Sequence, residues 1–191
     1  MQEGRLVTEG IILTIIGAIV NAFWIMLPAY LPNSAAAVIK GNLPMDFGKT
    51  MADGRRAVGD GKTFRGFFGG VFCGILLGYM QIWAYHQYQL DFLPQHTLLS
   101  VALLSIGSMV GDLAASFLKR RRGLQRGEKW PFMDQYDFLI GALILLIVFD
   151  WAWAHETITA LTFIVIIIMT PLLHRAINMI GYKLGFKDVP W

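Results

Sequence analysis

Five stretches of this chain stay apolar for longer than a helix on a water-facing surface allows. They run approximately from Ile11 to Leu31, Phe64 to Tyr85, Pro94 to Leu118, Phe132 to Trp153 and Ile158 to Leu173. Most are long enough as helices to cross a hydrocarbon layer of about 30 Å, which predicts an all-α, polytopic membrane protein with five transmembrane helices. Pro28 and Pro32 are expected to close the first span, leaving Asn33 and Ser34 beyond it to meet a headgroup or cap the next segment. Spans four and five are so close in sequence that a tight helical hairpin is expected. The first run is too long for a signal-peptide core, and Glu3, Arg5 and Glu9 before it form no basic cluster, so it reads as a retained span. With no internal repeat and no low-complexity tract, residues 1–191 read as a single domain.

Polar and small positions inside the spans refine this picture. Gly66, Gly70, Gly74 and Gly78 recur every four residues, so they line one face of span two and let another helix approach closely, within the chain or between two copies in a homodimer. Gly107, Gly111 and Ala115 make a second such face on span three. Asn21 reads as interhelical glue in span one. Trp83, Tyr85 and Tyr88 read as an outer aromatic belt, with His86 and His96 as solvated loop residues. Span five, rich in Ile and uncharged until His174 and Arg175, reads as scaffold, and the tail from Lys183 to Trp191 as folding back on the inner surface.

Composition agrees, at 55% hydrophobic and only 15% charged residues, and the placement of charge orients the chain. Of 16 Lys and Arg, all but Arg5 fall between spans one and two, between spans three and four, or after span five. The positive-inside rule then gives N-out and C-in, placing a long ordered loop between spans one and two, and a basic loop between spans three and four, in the cytoplasm of a multi-pass cell-membrane protein. The net charge of +3 is a property of that face, suited to anionic lipids and nucleotides, and carries no argument for a nucleic-acid polymer. The lone Cys73 rules out an intrachain disulfide and a zinc site of cysteine type.

Candidate chemistry concentrates between Gly111 and Asp137. Ser108, Asp112, Ser116 and Lys119 or Arg120 recur at helical spacing and form one polar stripe. Asp112 lies roughly 10 Å deeper than Lys119 along that helix, and a carboxylate at such depth belongs in a polar cavity. Pro131 suits the first turn of the next helix, on which Asp134 and Asp137 share a face. Pairing of Asp112 with Lys119 or Arg120 is the simpler reading. Three carboxylates converging from two helices favour a Mg²⁺ site instead, since hard cations take carboxylates and complete their shell with water and substrate phosphates.

The loop from Asn33 to Thr63 adds anion-binding equipment. Its end, Gly59-Asp60-Gly61-Lys62-Thr63, offers backbone N–H groups, a cation and a hydroxyl at the start of span two. It is not a Walker A loop, because the required earlier glycine falls at Arg56 and no strand precedes it. A metal site beside a phosphate cradle, at the cytoplasmic end of a bundle, points to nucleotidyl transfer from a nucleoside triphosphate to a lipid phosphate. A phosphate monoester is largely ionised at neutral pH, its second pKa being near 6, so no general base is required. The competing class is a small transporter or ion-translocating subunit with Asp112 as coupling carboxylate. Its polar residues should then continue across the membrane, whereas those of spans three and four gather at one end.

Gly111-Asp112, Ser116, Lys119-Arg120, Gly123, Pro131 and Asp134-x-x-Asp137 resemble the signature of the phosphatidate cytidylyltransferases. Pro44-x-Asp46-x-Gly48, Asp53-Gly54-x-Arg56 and Gly59-Asp60-Gly61-Lys62-Thr63-x-Arg65-Gly66, with the small five-span layout, resemble more closely the archaeal CDP-archaeol synthase family, over nearly the whole chain. The chain departs from the bacterial pattern around Pro131, where Trp130-Pro131-Phe132-Met133 and Gln135 replace a Gly-His-Gly-Gly-type turn and an arginine. The resemblance implies that CTP and an anionic isoprenoid lipid phosphate, an unsaturated archaeol phosphate, yield CDP-archaeol and pyrophosphate with Mg²⁺. It implies Asp112, Asp134 and Asp137 at the metal and Lys62, Thr63, Arg65, Lys119 and Arg120 at phosphates, with Ser116 beside them. Asn33, Asp46, Lys49, Asp53 and Asp60 are implied for the base, the ribose or loop order.

Overall fold

The computed structural model describes residues 2–186, with side chains from Val7 onward. Six helices follow one another: α1 (Gln2–Ile39), α2 (Phe64–Tyr88), α3 (Leu98–Arg121), α4 (Met133–Phe149), α5 (Trp151–Thr157) and α6 (Ala160–Lys183). Among the described residues there is no strand, only isolated bridges joining Pro44 to Thr63 and Thr50 to Arg56. Four helices, α1, α2, α3 and α6, are long and apolar enough to cross a membrane, and α4 with α5 makes a fifth candidate span bent by 115°. The chain is an all-helical, multi-pass membrane protein. The side chains of Glu3 and Arg5 and the tail from Lys187 to Trp191 lie outside the described residues.

Pro28 and Pro32 do not close the first span: α1 runs through both, and Asn33 and Ser34 are helical. A proline in a helix strips the carbonyl four residues earlier of its donor, a cost that persists in hydrocarbon unless another group supplies one. Here each stripped carbonyl has a substitute. The Trp24 carbonyl, freed by Pro28, accepts from Gln81 Nε2 at 2.9 Å. The Pro28 carbonyl, freed by Pro32, accepts from Ser105 Oγ at 3.1 Å. In α6, Pro171 frees the Ile167 carbonyl, which accepts from the Tyr136 hydroxyl at 3.0 Å. The prolines are tolerated because three neighbouring helices present polar side chains at the right height.

The expected hairpin of spans four and five is also different. α4 ends at Phe149, and Asp150, with φ −145° and ψ 55°, turns the chain into the seven-residue α5 before α6 begins. At the other end of α4, Phe132 has a positive φ (66°) with ψ −50°, so the helix starts at Met133 and Pro131 precedes it.

The glycine faces are consumed within the chain. A Cβ on Gly74 would stand 2.7 Å from the Pro28 carbonyl oxygen and 2.6 Å from Ser105 Oγ, so α2 rests directly on α1 and α3. At Gly107 it would stand 2.6 Å from the Gly141 carbonyl oxygen. Gly111 lies against the backbone of Asp137. That backbone contact between α3 and α4 brings the carboxylates of Asp112 and Asp137 to one level. The core beside it is aliphatic and aromatic, with Ile25, Met26, Leu104, Leu139, Leu146 and Ile166 fully buried.

His96 is not solvated. It is 3% exposed, stacked on Trp153 with ring centroids 5.3 Å apart, and within 3.3 Å of both the Trp24 carbonyl oxygen and Ser100 Oγ. Burial pushes its imidazole from an ordinary 6.5 down to about 4, so the ring is neutral.

Candidate active site

At the end of the bundle opposite His96, the loops after α1 and α3 close over the helix ends. Asp46 is the hub of the first loop. Its carboxylate accepts from Arg56 Nη2 at 2.6 Å and Nε at 3.1 Å, and from the backbone N–H groups of Gly59, Val58 and Gly48. The guanidinium first, and those three N–H groups after it, hold the Asp46 carboxyl well below the usual carboxylate range. The two loops are then strapped together through arginines. Arg121 pairs with Asp53 at 2.6 Å and donates to the Arg56 carbonyl at 2.5 Å, while Arg55 donates to the Arg121 carbonyl at 2.7 Å. Gly123, at φ 82°, passes so close to the Arg55 guanidinium that a Cβ there would meet it at 3.1 Å.

Beneath the loops lie three connected cavities. The first, about 710 Å³, is bounded by α1, α2, α3, α4 and α6 and mixes apolar walls (Ala36, Met45, Phe67, Met109, Phe186) with Asn33, Lys62, Asp112, Asp134 and Asp137. The second, about 470 Å³, lies between the loops and is lined by Arg55, Arg56, Lys62, Lys119, Arg120 and Arg126, with Asp60 as its acid. The third, about 190 Å³, joins them below through Lys62, Asp112, Ser116, Lys119, Asp134 and Asp137, with His174 and Asn178.

Of the residues singled out in the sequence, Asp112, Asp134, Asp137, Lys119, Asn33, Asp60, Lys62, Thr63, Ser116 and Arg120 line these cavities. Asp46, Lys49, Asp53 and Arg65 do not: Asp46 and Asp53 order the loops, and Lys49 and Arg65 are exposed outside the three cavities. Thr63 caps α2, its hydroxyl accepting from the Gly66 N–H at 3.1 Å. Ser108 leaves the polar stripe, being fully buried with its hydroxyl on the Ala29 carbonyl at 2.7 Å.

The carboxylates are cross-paired between elements. Asp112 pairs with Lys62 at 2.5 Å, from fifty residues earlier, and not with Lys119 or Arg120 on its own helix. Lys119 reaches Asp134 at 2.7 Å instead. Asp134 also accepts from the Trp130 N–H at 2.9 Å, which fixes it at the first turn of α4. Asp137 is buried nearby, in the field of Asp112, Lys62 and Asp134. Among the described residues, no three carboxylate or imidazole groups stand close enough to hold a metal ion as they are. Lysine ammonium groups occupy two of the three carboxylates. The donor set nonetheless suits a hard divalent cation: three carboxylates line one cavity, and an ion there would take over a neutralisation the lysines now perform. Arg120 adds a buried Nε with no protein acceptor, on the wall of the cationic second cavity.

Sequence reasoning missed α6. His174 lines the first and third cavities and Asn178 the third, so this helix is part of the site and not scaffold alone. The signal was present as a histidine and an asparagine four apart, hence on one face, at the charged end of an otherwise aliphatic span.

Membrane-long helices that gather acids, lysines and guanidinium groups around shared cavities at one end define an intramembrane enzyme acting on phosphates. Relatives agree. The family model described as CarS-like, CDP-archaeol synthase, matches residues 12–191. The CDP-archaeol synthase of Methanoculleus marisnigri is 55% identical over 166 residues, covering 87% of this chain and 100% of the relative. That of Methanospirillum hungatei is 54% identical with the same coverage. A solved structure, of an intramembrane enzyme for archaeal membrane lipids biosynthesis, superposes with a TM-score of 0.63 at 33% identity, covering 84% of this chain and 94% of the other. The chain is a membrane nucleotidyltransferase and not a transporter. It belongs to the CDP-archaeol synthase family.

Proposed function

We propose that this protein transfers CMP from CTP to the phosphate of an unsaturated archaeol phosphate, releasing pyrophosphate, with Mg²⁺ and at the cytoplasmic face. The observation that carries the reading is the shared wall. Lys62 lines all three cavities, one half-apolar, one cationic and one holding the carboxylates between them. A triphosphate fits the cationic cavity between the loops, and an isoprenoid lipid fits the cavity whose walls continue into the helices. The relatives' printed name, CDP-archaeol synthase, supports the product. The fifteen cations on the loop side support a cytoplasmic placement.

In the reaction, an oxygen of the lipid phosphate forms a bond to the α-phosphorus of CTP while the bond from that phosphorus to its β-bridging oxygen breaks. The electron pair leaves with pyrophosphate. No proton is removed at the attacking oxygen, because a phosphate monoester is already mostly dianionic at neutral pH. Lys62 and Lys119, released from Asp112 and Asp134, and Arg120 with its unused Nε, neutralise charge on the triphosphate and on the leaving group. Asp112, Asp134 and Asp137 would hold Mg²⁺, which when bound screens the repulsion between two anionic substrates. The strapped loops keep the cationic cavity formed before substrate arrives.

Pyrophosphate release from CTP and an archaeol-type phosphate by the purified full-length protein tests this directly. Asp134→Asn should lower turnover by at least about a hundredfold, in line with loss of a major electrostatic contribution, while the protein still inserts and elutes as folded material. A wild-type protein that releases no pyrophosphate, or an Asp134→Asn variant with unchanged turnover, would remove the reading.

A further inference from the structure

The reaction needs the two anions on different sides of the carboxylates, yet the loop cations can serve only one of them. The guanidinium groups of Arg55, Arg56, Arg120 and Arg126 all line the second cavity, which the nucleotide enters from water. A lipid phosphate comes attached to hydrocarbon chains, so its headgroup meets the side chains carried by the spans. Among these, α6 presents an imidazole and an amide to the third cavity, one helical turn apart. Asn178, 2% exposed, holds its Nδ2 at 3.1 Å from His174 Nε2, and the imidazole rests on Phe138 at 5.8 Å between ring centroids. A fixed imidazole and a buried amide are costly on a span unless they serve a polar ligand or partner.

The geometry points to the His174–Asn178 ledge of α6 as the site that binds the phosphate of the lipid acceptor. This rests on the function proposed above and deepens it. The two residues bring an imidazole and an amide to the third cavity from α6, whereas the loop arginines line the second. Asp112, Asp134 and Asp137 line the same cavity. An acceptor held there stands beside the carboxylates while the triphosphate occupies the second cavity, so the two can be aligned for an in-line displacement. His174 and Asn178 are therefore binding residues that choose a membrane-delivered phosphate over a second nucleotide.

The test is steady-state kinetics on the full-length protein, varying archaeol-type phosphate at saturating CTP and then CTP at saturating lipid. His174→Leu should raise the KM for the lipid phosphate at least about tenfold, the scale of a lost charge-assisted hydrogen bond, with the KM for CTP unchanged within about twofold. His174→Gln, which keeps a donor, should recover most of that loss. Asn178→Asp is nearly isosteric but places a carboxylate against the phosphate, so its lipid KM should rise more than that of Asn178→Ala. This comparison carries the test even if His174→Leu does not accumulate as folded protein. Lipid KM values unchanged in these variants, or CTP KM values rising in parallel, overturn the assignment while the wild-type activity leaves the proposed function standing. A wild type without lipid-dependent pyrophosphate release overturns both.

Discussion

The Gln81 side chain of α2 donates to the Trp24 carbonyl of α1 at 2.9 Å, replacing the backbone donor that Pro28 took away. The pair converts a break in the first span into a contact between two helices, and it makes a specific prediction. Gln81→Leu should destabilise the protein by about 1 kcal/mol, the net worth of one hydrogen bond, because the Trp24 carbonyl keeps the His96 ring within 3.3 Å. In a Pro28→Ala background the alanine N–H returns to Trp24, so Gln81→Leu should then cost little. Unfolding in mixed micelles of all four combinations measures the coupling. Additive losses would show that the Gln81 bond does not compensate for the proline.

The same carbonyl lies within 3.3 Å of His96, whose burial makes stability depend on pH. The folded-state pKa is depressed, to about 4 from an ordinary 6.5. The neutral ring's contribution is thus fully present above about pH 6.5, declines as pH falls, and is gone below about pH 4, on the order of 3 kcal/mol in all. Asp46, whose carboxyl is held still lower, adds its loss only at more acidic pH. Thermal unfolding in detergent should therefore show a falling midpoint across this window, and His96→Gln should flatten it. A wild-type midpoint independent of pH down to about 4 would contradict a buried neutral His96.

What was legible in the sequence was what local spacing determines. Apolar length marked the spans, the four-residue glycine period marked the close helix faces, and helical spacing put Asp112, Asp134 and Asp137 toward one cavity. What escaped depended on partners distant along the chain. Pro28 and Pro32 looked like terminators because their substitutes, Gln81 and Ser105, are more than fifty residues on. Lys62 could not be matched to Asp112 without knowing that the first loop returns over α3. His174 looked like the polar end of a scaffold helix, since only the packing of α6 beside α1 and α4 turns it toward the carboxylates. His96 lies in a loop as expected but looked solvated, because Trp24 and Trp153, which enclose it, come from distant parts of the chain.

Gly111 is where packing and chemistry meet. Its missing side chain lets α3 lie on the Asp137 backbone, and Asp112 follows it directly. Gly111→Val should cost about 1–3 kcal/mol through overpacking and abolish turnover by separating the carboxylates. Gly17, with nothing within 4 Å of a Cβ position, is the control. Gly17→Ala should be neutral or stabilising by up to about 1 kcal/mol, with activity unchanged. Equal behaviour of the two variants would show that close approach at Gly111 does not position the site.

The strap between the loops depends on the shape of Arg121 as well as its charge. One guanidinium bridges the Asp53 carboxylate and the Arg56 carbonyl while lying over the Phe117 ring at 5.3 Å. An ammonium group can satisfy one such partner but cannot span all of them. Arg121→Lys should therefore loosen the first loop even though the charge is kept. Trypsin cleavage after Arg55 and Arg56 reads this directly, since proteolysis follows the population of the open loop. The variant should be cut about fivefold faster or more, the expected scale for losing one charge-assisted hydrogen bond. Asp53→Asn keeps the Arg121 bond to the Arg56 carbonyl and should be cut at an intermediate rate. Cleavage of Arg121→Lys at the wild-type rate would mean that the first loop is held by Asp46 and its five donors and by the Arg55 bond to the carbonyl of residue 121, and that the Arg121 guanidinium is an incidental surface contact.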